Sequence, residues 1–142
     1  MKTKTLFILL AMLKISLFAT IKTASKAIQL TVNFQHLEAG KGTLYVAVYH
    51  NEKDFENKEA LVHKKIKVSE KNATLNFDLP EKGEYAIICF QDLNENHRLD
   101  FSNYMPDEPW GLSNNIEVMR PPTWDDAKFT VKNNRTIDIQ LF

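Results

Sequence analysis

Alternation of apolar and polar residues begins at residue 27 and predicts β-strands. Every second residue from 28 to 34 is apolar, and the same alternation returns at residues 74–79. A strand with this period buries one face and exposes the other. Two further runs, 43–50 (TLYVAVYH) and 84–91 (EYAIICFQ), are apolar on both faces. We therefore expect these two strands to lie centrally in a sheet that is covered on both sides.

Less regular segments complete the predicted strands. Residues 60–69 form a weaker strand whose three lysines indicate an exposed edge. Residues 129–131 and 137–141 predict a hairpin that turns between them. Residues 51–59 predict a loop or a short helical turn. This pattern predicts an all-β fold, a seven-stranded antiparallel β-sandwich with one long irregular loop.

The long loop runs from Asp92 to about Asp125 and has no strand periodicity. A loop of this length in a compact domain is commonly functional or packed as a lid. We expect its apolar residues to cover the outer faces of the two central strands. These residues are Phe101, Tyr104, Met105, Trp110 and Leu112.

The first part of this loop has the spacing of a calcium-binding loop. Positions one, three, five and nine carry side-chain oxygens, and position seven supplies a backbone carbonyl. The predicted ligands are Asp92, Asn94, Asn96, the carbonyl of Arg98, and Asp100. Glu108, or its neighbour Asp107, is the candidate for a further carboxylate that folds back to the ion. The predicted cofactor is therefore Ca²⁺, bound weakly, as in extracellular modules.

Two positions depart from the standard loop. Position six is normally glycine because the turn is left-handed, but here it is His97, a residue type enriched in that conformation. Position twelve is Asn103 rather than glutamate, and the flanks are not two helices, so the loop is not an EF-hand. The alternative is a loop whose Asp and Asn side chains cap their own backbone. The residues alone leave both alternatives open.

The second part of the loop is rich in proline and aromatic residues. Trp110 and Trp124, if exposed, would form a ligand-binding face for a sugar or a peptide. If buried, the two rings would instead plug the end of the sandwich, which is the more common fate of large aromatic side chains.

Composition narrows the function classes. Lys plus Arg and Asp plus Glu both number 18, so bulk charge favours neither nucleic acid nor a membrane surface. Cys89 is the single cysteine and cannot form an internal disulfide; its apolar surroundings predict a buried thiol. The sequence has no GxSxG elbow, no HExxH motif and no glycine-rich phosphate loop. A triad of Asp92, His97 and Ser102, or paired acids at Asp100 and Glu108, would be chance groupings, and a hydrolase acting through Asp92, His97 and Glu108 is kept as the alternative. We therefore predict a protein that is not an enzyme.

The first residues predict export. Lys2 and Lys4 precede an apolar core at 6–13, and small residues follow near position 25. This is the pattern of a cleaved signal peptide over residues 1–25, followed by one domain over 27–142. Lys14 interrupts the apolar region, which argues against a stable transmembrane helix there and for a cleaved signal. The alternative is an uncleaved anchor; after cleavage we expect no stable membrane span. The expected location is the periplasm or the cell exterior, and the expected partner is an extracytoplasmic protein or glycan.

Four motifs occur in a fixed order along the chain. They are LP-x₂-GEYAI (79–87), DxNxNxxLD (92–100), P-x-EPWG-x-SNN (106–115) and PPTWDDAKF (121–129). Together they resemble the exported bacterial proteins of domain of unknown function 2141, over the chain from about residue 30 onward. The chain departs from that pattern at Gln91 (often His), His97 and Tyr104 (usually Gly), and Leu112 (usually Phe). The resemblance implies export and a transthyretin-like or immunoglobulin-like sandwich, and it implies no activity.

Overall fold

The computed structural model describes residues 27–142, so the predicted signal peptide lies outside the described residues. The described chain is built mostly of β-strands. In chain order its elements are β1 Ile28–Gln35, β2 Thr43–Tyr49, α1 Glu52–Asn57, β3 Val62–Lys67, β4 Ala73–Leu79, β5 Gly83–Asp92, β6 Phe101–Ser102, β7 Met105–Pro106, β8 Trp110–Leu112, α2 Trp124–Ala127, β9 Phe129–Val131 and β10 Arg135–Gln140. No helix within residues 27–142 is long and apolar enough to cross a membrane.

The strands form two larger sheets and one small ribbon. Sheet A has the order β10-β1-β4, and sheet B has the order β3-β2-β5-β8, with β9 pairing to the start of β5. The two-residue strands β6 and β7 pair only with each other. As predicted, β2 and β5 are central in sheet B, and the lysine-rich β3 lies at its edge.

The predicted number and direction of strands were wrong. Residues 27–142 form ten strands rather than seven, because β6, β7 and β8 are too short to produce a periodic signal. The sheets are not purely antiparallel either, since β1 and β10 pair in parallel, with Leu30 opposite Arg135. The broader prediction, an all-β fold with few helices, is confirmed.

The predicted hairpin near the end of the chain was also wrong. β9 pairs with β5 in sheet B, whereas β10 pairs with β1 in sheet A. The short connection at 132–134 therefore carries the chain from one sheet to the other. Alternation alone cannot distinguish this crossing from a hairpin, because both have two apolar-periodic strands around a short polar turn.

The inner faces of sheets A and B share one apolar core. Leu30, Val32 and Phe34 of β1 are fully buried, and they belong to the same cluster as Leu44 of β2 and Ile87 of β5. At about 25 cal/mol per Å² of apolar surface removed from water, such burial is the main source of stability.

A second apolar cluster covers the outer face of sheet B. It consists of Tyr49, Phe55, Ala86, Trp110, Leu112, Trp124 and Ala127. The expectation that the long loop covers this face is thus confirmed for Trp110 and Leu112. It was wrong for Phe101 and Tyr104, whose side chains are 61% and 95% exposed. Those two residues lie in the β6–β7 ribbon, which projects into solvent instead of packing on the sheet.

Backbone pairing beyond β8 joins the two sheets along one side. The N–H of Trp110 donates to the carbonyl of Phe142 over 3.3 Å, and the N–H of Phe142 returns a bond to Trp110 over 2.9 Å. Gly111 lies against the end of β10, where an added Cβ would stand 2.7 Å from the carbonyl oxygen of Gln140. Any larger residue at position 111 would therefore separate the two sheets at this seam.

Candidate functional site

The Asp92–Asp100 loop begins where β5 leaves the core. Asp92 is the last residue of β5, and its side chain is fully buried. Its two carboxylate oxygens accept hydrogen bonds from the N–H groups of Asn96 (3.2 Å) and His97 (2.8 Å). A buried carboxylate requires such compensation, because losing water without a partner costs several kcal/mol. Asp92 therefore stabilises a tight turn, because its side chain bonds to backbone N–H groups four and five residues later.

The left-handed conformation expected at position six is present. His97 has φ of +68°, and Glu95 has φ of +61°. The His97 ring is held by the hydroxyl of Tyr45, which lies 2.6 Å from Nδ1. The same ring nitrogen is 3.8 Å from the carboxylate of Asp92. Tyr45 was not predicted as part of the site, since a contact across 52 residues leaves no local signal in the sequence.

Three of the predicted side-chain ligands, those of Asn94, Asn96 and Asp100, meet at one point. The amide nitrogens of Asn94 and Asn96 lie 2.7 Å and 2.5 Å from the same oxygen, Oδ2 of Asp100. The other Asp100 oxygen accepts from Nε of Arg98 over 3.0 Å. These hydrogen bonds, that from Asn94 first, lower the pKa of Asp100 below its ordinary value. Asp100 therefore stays ionised under acidic conditions that protonate an ordinary aspartate.

The amide oxygens of the same two asparagines bond to the backbone. Oδ1 of Asn94 accepts from the N–H of Asn96 over 3.0 Å, and Oδ1 of Asn96 accepts from the N–H of Arg98 over 3.1 Å. Such turns, in which an asparagine side chain bonds to the backbone two residues later, are expected if the loop caps its own backbone instead of binding an ion. The same oxygens keep a second lone pair each, so the turns and cation binding are compatible.

Glu108 closes the base of the loop. Its carboxylate is buried and accepts from the N–H of Leu93 over 2.8 Å and from the N–H of Asp100 over 3.3 Å. One side chain thus joins the first and last residues of the turn. This clasp is a role that the spacing in the sequence did not predict, because it depends on β8 bringing residue 108 beside β5.

The β1–β2 turn packs against the stem of the loop through Gln91 and Gly42. The fully buried Gln91 amide bonds to the N–H of Glu38 (2.8 Å) and to the carbonyls of Glu38 (2.9 Å) and Lys41 (2.8 Å). Gly42 has φ of +59°, and an added Cβ would stand 2.0 Å from the carbonyl oxygen of Asp92. The scaffold therefore fixes the start of the loop rigidly.

The donor set fits a hard cation in part. Ca²⁺ requires six to eight oxygen ligands. Asp92, Asn94, Asn96, Asp100 and the carbonyl of Arg98 offer such oxygens within one loop. Within residues 27–142 there is no group of three or more His, Cys, Asp or Glu side chains suited to a metal ion. A site here would consequently depend on amide and carbonyl oxygens as much as on carboxylates.

The two tryptophans lie away from solvent. Trp110 and Trp124 are each 7% exposed and belong to the cluster on the outer face of sheet B. The Trp124 ring meets Phe55 edge-on with centroids 6.0 Å apart. Stacking of a sugar needs an open ring face, and neither ring offers one in this arrangement.

In the group of Asp92, His97 and Glu108 that a hydrolase would use, few side-chain atoms are available to react with a substrate. Asp92 and Glu108 are both buried, and each of their carboxylates bonds to two backbone N–H groups. Only His97 is largely exposed. Cys89, the other potential nucleophile, is fully buried, and burial raises the pKa of its thiol far above the ordinary value.

Similarity to known proteins is found at the level of a protein family. Neither the curated proteins nor the solved structures contain a match to the chain. A protein-family model matches residues 32–138, which include the loop, its Glu108 clasp and most of both sheets. The chain therefore belongs to the bacterial family described as "Uncharacterized protein conserved in bacteria (DUF2141)".

Proposed function

We propose that the protein is an exported, non-enzymatic binding or structural module whose Asp92–Asp100 loop binds Ca²⁺ weakly. The observation that carries the proposal is the convergence of Asn94 and Asn96 on one oxygen of Asp100. These contacts of 2.7 and 2.5 Å leave no room for an ion between the groups as they stand, but they bring three potential ligand side chains to one place in the loop. A bound ion would replace the mutual hydrogen bonds of these groups with oxygen coordination.

The proposed ligands are the carboxylates of Asp92 and Asp100, the amide oxygens of Asn94 and Asn96, and the carbonyl of Arg98. Glu108 is assigned to closing the loop, because it joins the N–H groups of Leu93 and Asp100 at the two ends of the turn. Asp92 would share its oxygens between the ion and the N–H groups of Asn96 and His97. Water would complete the shell. Two carboxylates with several neutral ligands favour an affinity of roughly 10⁻⁴ to 10⁻³ M.

The scaffold is proposed to be a β-sandwich of the immunoglobulin-like or transthyretin-like type. Support comes from the inner faces of sheets A and B, which share one core. The short seam at Trp110 and Phe142 joins the sheets on one side without making them continuous. The loop would then lie at one end of the sandwich, where β-sandwich proteins commonly carry their binding loops.

Calcium binding is tested by urea unfolding of the purified protein. With about 10 mM Ca²⁺ and the affinity above, the free energy of unfolding should rise by about 1.4 to 2.7 kcal/mol relative to EDTA. Mg²⁺ at the same concentration should have a smaller effect, since it requires a tighter octahedral shell. An unfolding midpoint that is the same in Ca²⁺ and in EDTA would reduce the site to a self-capped loop.

A matched pair of variants locates the effect. Asp100→Asn should abolish most of the Ca²⁺-dependent increase, because it removes a proposed anionic ligand. Asp107→Asn removes a carboxylate of the same long loop that bonds to Ser102 instead, and should keep the increase. Each variant is compared with itself in Ca²⁺ and in EDTA, so that a change in basal stability does not affect the result.

Export is proposed from the basic and apolar pattern of residues 1–25, and a protein or glycan outside the cytoplasm is the proposed partner class. Mass spectrometry of the protein recovered from the periplasm or the medium is the test. The expected species lacks about the first 25 residues. Recovery of an uncleaved chain in the cytoplasm would contradict the proposal.

A further inference from the structure

A polar groove lies at the end of the molecule opposite the calcium-loop candidate. β5 begins at this end with Gly83 and reaches the other end at Asp92. The groove consists of two adjoining shallow depressions of about 400 Å³ and 380 Å³, which are wide open to solvent and share Lys132, Asn133 and Asn134.

The lining of the groove has one sign of charge. Its ionisable side chains are Lys82, Lys132 and Arg135, and none of the lining residues is acidic. The rest of the lining is Ala27, Ile28, Thr130, Asn133 and Asn134. Because the whole chain has a formal net charge of zero, this concentration of cations is a local feature.

Hydrogen bonds fix several of these groups. Asn134 accepts the N–H of Gln29 on its Oδ1 over 3.0 Å, which leaves its amide N–H groups as the available donors. Arg135 packs over the ring of Phe129 at 5.4 Å and donates one N–H to the carbonyl of Thr130. The Arg135 guanidinium has five N–H donors, so four remain besides the one bonded to Thr130.

The acids near the groove in sequence are Asp78, Glu81, Glu84 and Asp138. Glu84 lies opposite the groove residue Thr130 in the β5–β9 pair, and Asp138 accepts from the side-chain amide of Asn33; neither lines the groove. Glu81, the neighbour of Lys82, lies 3.0 Å from Nε2 of His50. Asp78 accepts from the side-chain amide of Gln29 over 2.7 Å on the outer face of sheet A. Neither carboxylate lines the cavities. The cations of the groove are therefore not neutralised by these two residues.

We propose that this groove binds a phosphate group. Three cations from two separate turns, together with the amide donors of Asn133 and Asn134, match the charge and the several acceptor oxygens of a phosphate. The arginine fork supplies directional bonds, and the lysines supply charge. The phosphate is either that of a soluble ligand or that of a lipid headgroup. This site is independent of the calcium loop, which lies at the other end of β5.

Titration of the purified ¹⁵N-labelled protein with inorganic phosphate tests the groove. Low ionic strength is required, because salt screens exposed charges within about 10 Å at 0.1 M. The expected result is saturable, with amide shift changes concentrated at residues 82 and 130–135. Shift changes that do not saturate, or that spread evenly over the lysines of the protein, would overturn the proposal.

Charge-matched variants separate the groove from general attraction. The combined substitution of Lys82→Gln, Lys132→Gln and Arg135→Gln should weaken phosphate binding at least tenfold. The control combines Lys53→Gln, Lys65→Gln and Lys71→Gln, which remove the same charge from α1, β3 and the β3–β4 turn. It should bind as the unmodified protein does. Equal weakening in both variants would contradict a site at the groove, and circular dichroism verifies that each variant is folded.

Vesicles distinguish the two sources of phosphate. Co-sedimentation is measured with vesicles that contain phosphatidylglycerol and with vesicles of phosphatidylcholine alone. If the unmodified protein binds the anionic vesicles and the groove variant does not, the site is assigned to a lipid headgroup. Binding of inorganic phosphate without vesicle binding assigns it to a soluble ligand. Failure to bind either probe would refute the inference.

Discussion

Tyr104 occupies a backbone position that favours glycine. It and Asn103 form the two-residue turn between β6 and β7, with φ of +65° and +49°. Turns with positive φ at both central residues prefer Asn followed by Gly. The chain has the asparagine but carries tyrosine at the second position, and that side chain is 95% exposed. Because this side chain is almost fully exposed, its packing does little to offset the strain of the left-handed backbone.

Replacing Tyr104 with glycine should stabilise the protein. A non-glycine residue in the left-handed region costs about 1 to 2 kcal/mol, and glycine adds about 0.5 to 1 kcal/mol of chain entropy to the unfolded state. The net expectation for Tyr104→Gly is a gain of about 0.5 to 1 kcal/mol in the free energy of unfolding. Urea denaturation measures it.

Alanine provides the control at the same position. Tyr104→Ala removes the ring but keeps the Cβ that clashes in the left-handed region, so it should leave stability nearly unchanged. If alanine and glycine stabilise equally, the ring rather than the backbone is the source of the cost. If glycine destabilises, the tyrosine makes a contact that outweighs the strain.

Individual residues of the loop were predictable where the signal was local. The spacing of Asp92, Asn94, Asn96 and Asp100 placed the polar groups that meet, because all four lie in one turn of chain. The Tyr45 contact and the Glu108 clasp were not predicted as such. They depend on which strands become neighbours, and that register is decided by the whole sheet.

At the scale of elements, the short helix α2 is held by a polar clasp rather than by its length. The carboxylate of Asp126 accepts two bonds from the guanidinium of Arg120, over 2.6 Å and 2.9 Å. It also accepts from the N–H of Thr123 over 2.7 Å and from the hydroxyl of Thr123 over 2.8 Å. The Arg120 guanidinium, followed by the Thr123 donors, holds the pKa of Asp126 well below its ordinary value.

Asp126→Asn should therefore lower the free energy of unfolding by about 1.5 to 3 kcal/mol at neutral pH, the range for hydrogen bonds to a charged group. Because the folded-state pKa is depressed, the stabilisation is fully present above the unfolded value of about 3.9. It is lost as pH falls through the folded-state pKa. The difference between the two proteins should thus shrink at acid pH, as measured by urea denaturation over a pH series.

The neighbouring acid is the control for this clasp. Asp125 pairs with Lys128 over 2.6 Å, but its side chain is 75% exposed. Asp125→Asn should cost less than about 1 kcal/mol, as is usual for exposed ion pairs. Equal losses at positions 125 and 126 would show that net charge, rather than the bidentate clasp, matters here.

Seven of the ten strands within residues 27–142 were predicted as strands, namely β1 to β5, β9 and β10, because each shows alternation or an apolar run. The doubly apolar β2 and β5 were also correctly placed at the centre of sheet B. β8, with three residues, gives no periodic signal, although it completes that sheet. The pairing partner of β10 was not predicted, because the alternation of apolar and polar residues indicates which face of a strand is buried but not which strand lies beside it.

At the scale of the whole molecule, sheet B is buried on both faces. Its inner face contributes to the core shared with sheet A, and its outer face lies under Phe55, Trp110 and Trp124. The central strand β5 supplies residues to both clusters, including Ile87 on one side and Ala86 on the other. We therefore expect damage to either cluster to destabilise the whole described domain.

Trp124→Ala tests this coupling. Removal of the buried ring should cost about 3 to 5 kcal/mol, and fluorescence of the remaining Trp110 should report the same single transition as circular dichroism. Phe101→Ala is the control, since that aromatic ring is largely exposed and its loss should cost within about 0.5 kcal/mol. Two separate transitions in the Trp124 variant would instead mean that the outer cluster unfolds independently.

The parallel pairing of β1 with β10 has a consequence for synthesis and transport. Asn33 of β1 bonds to Thr74 of β4, 41 residues later, but its partner on the other side, Asp138, lies 105 residues away. A chain that leaves a ribosome or an export channel from its amino end can complete only one side of β1 until residues 135–140 emerge. For that whole interval β1 presents an open edge to other chains. When β10 pairs with β1, it therefore also closes the edge through which β1 could pair with another chain.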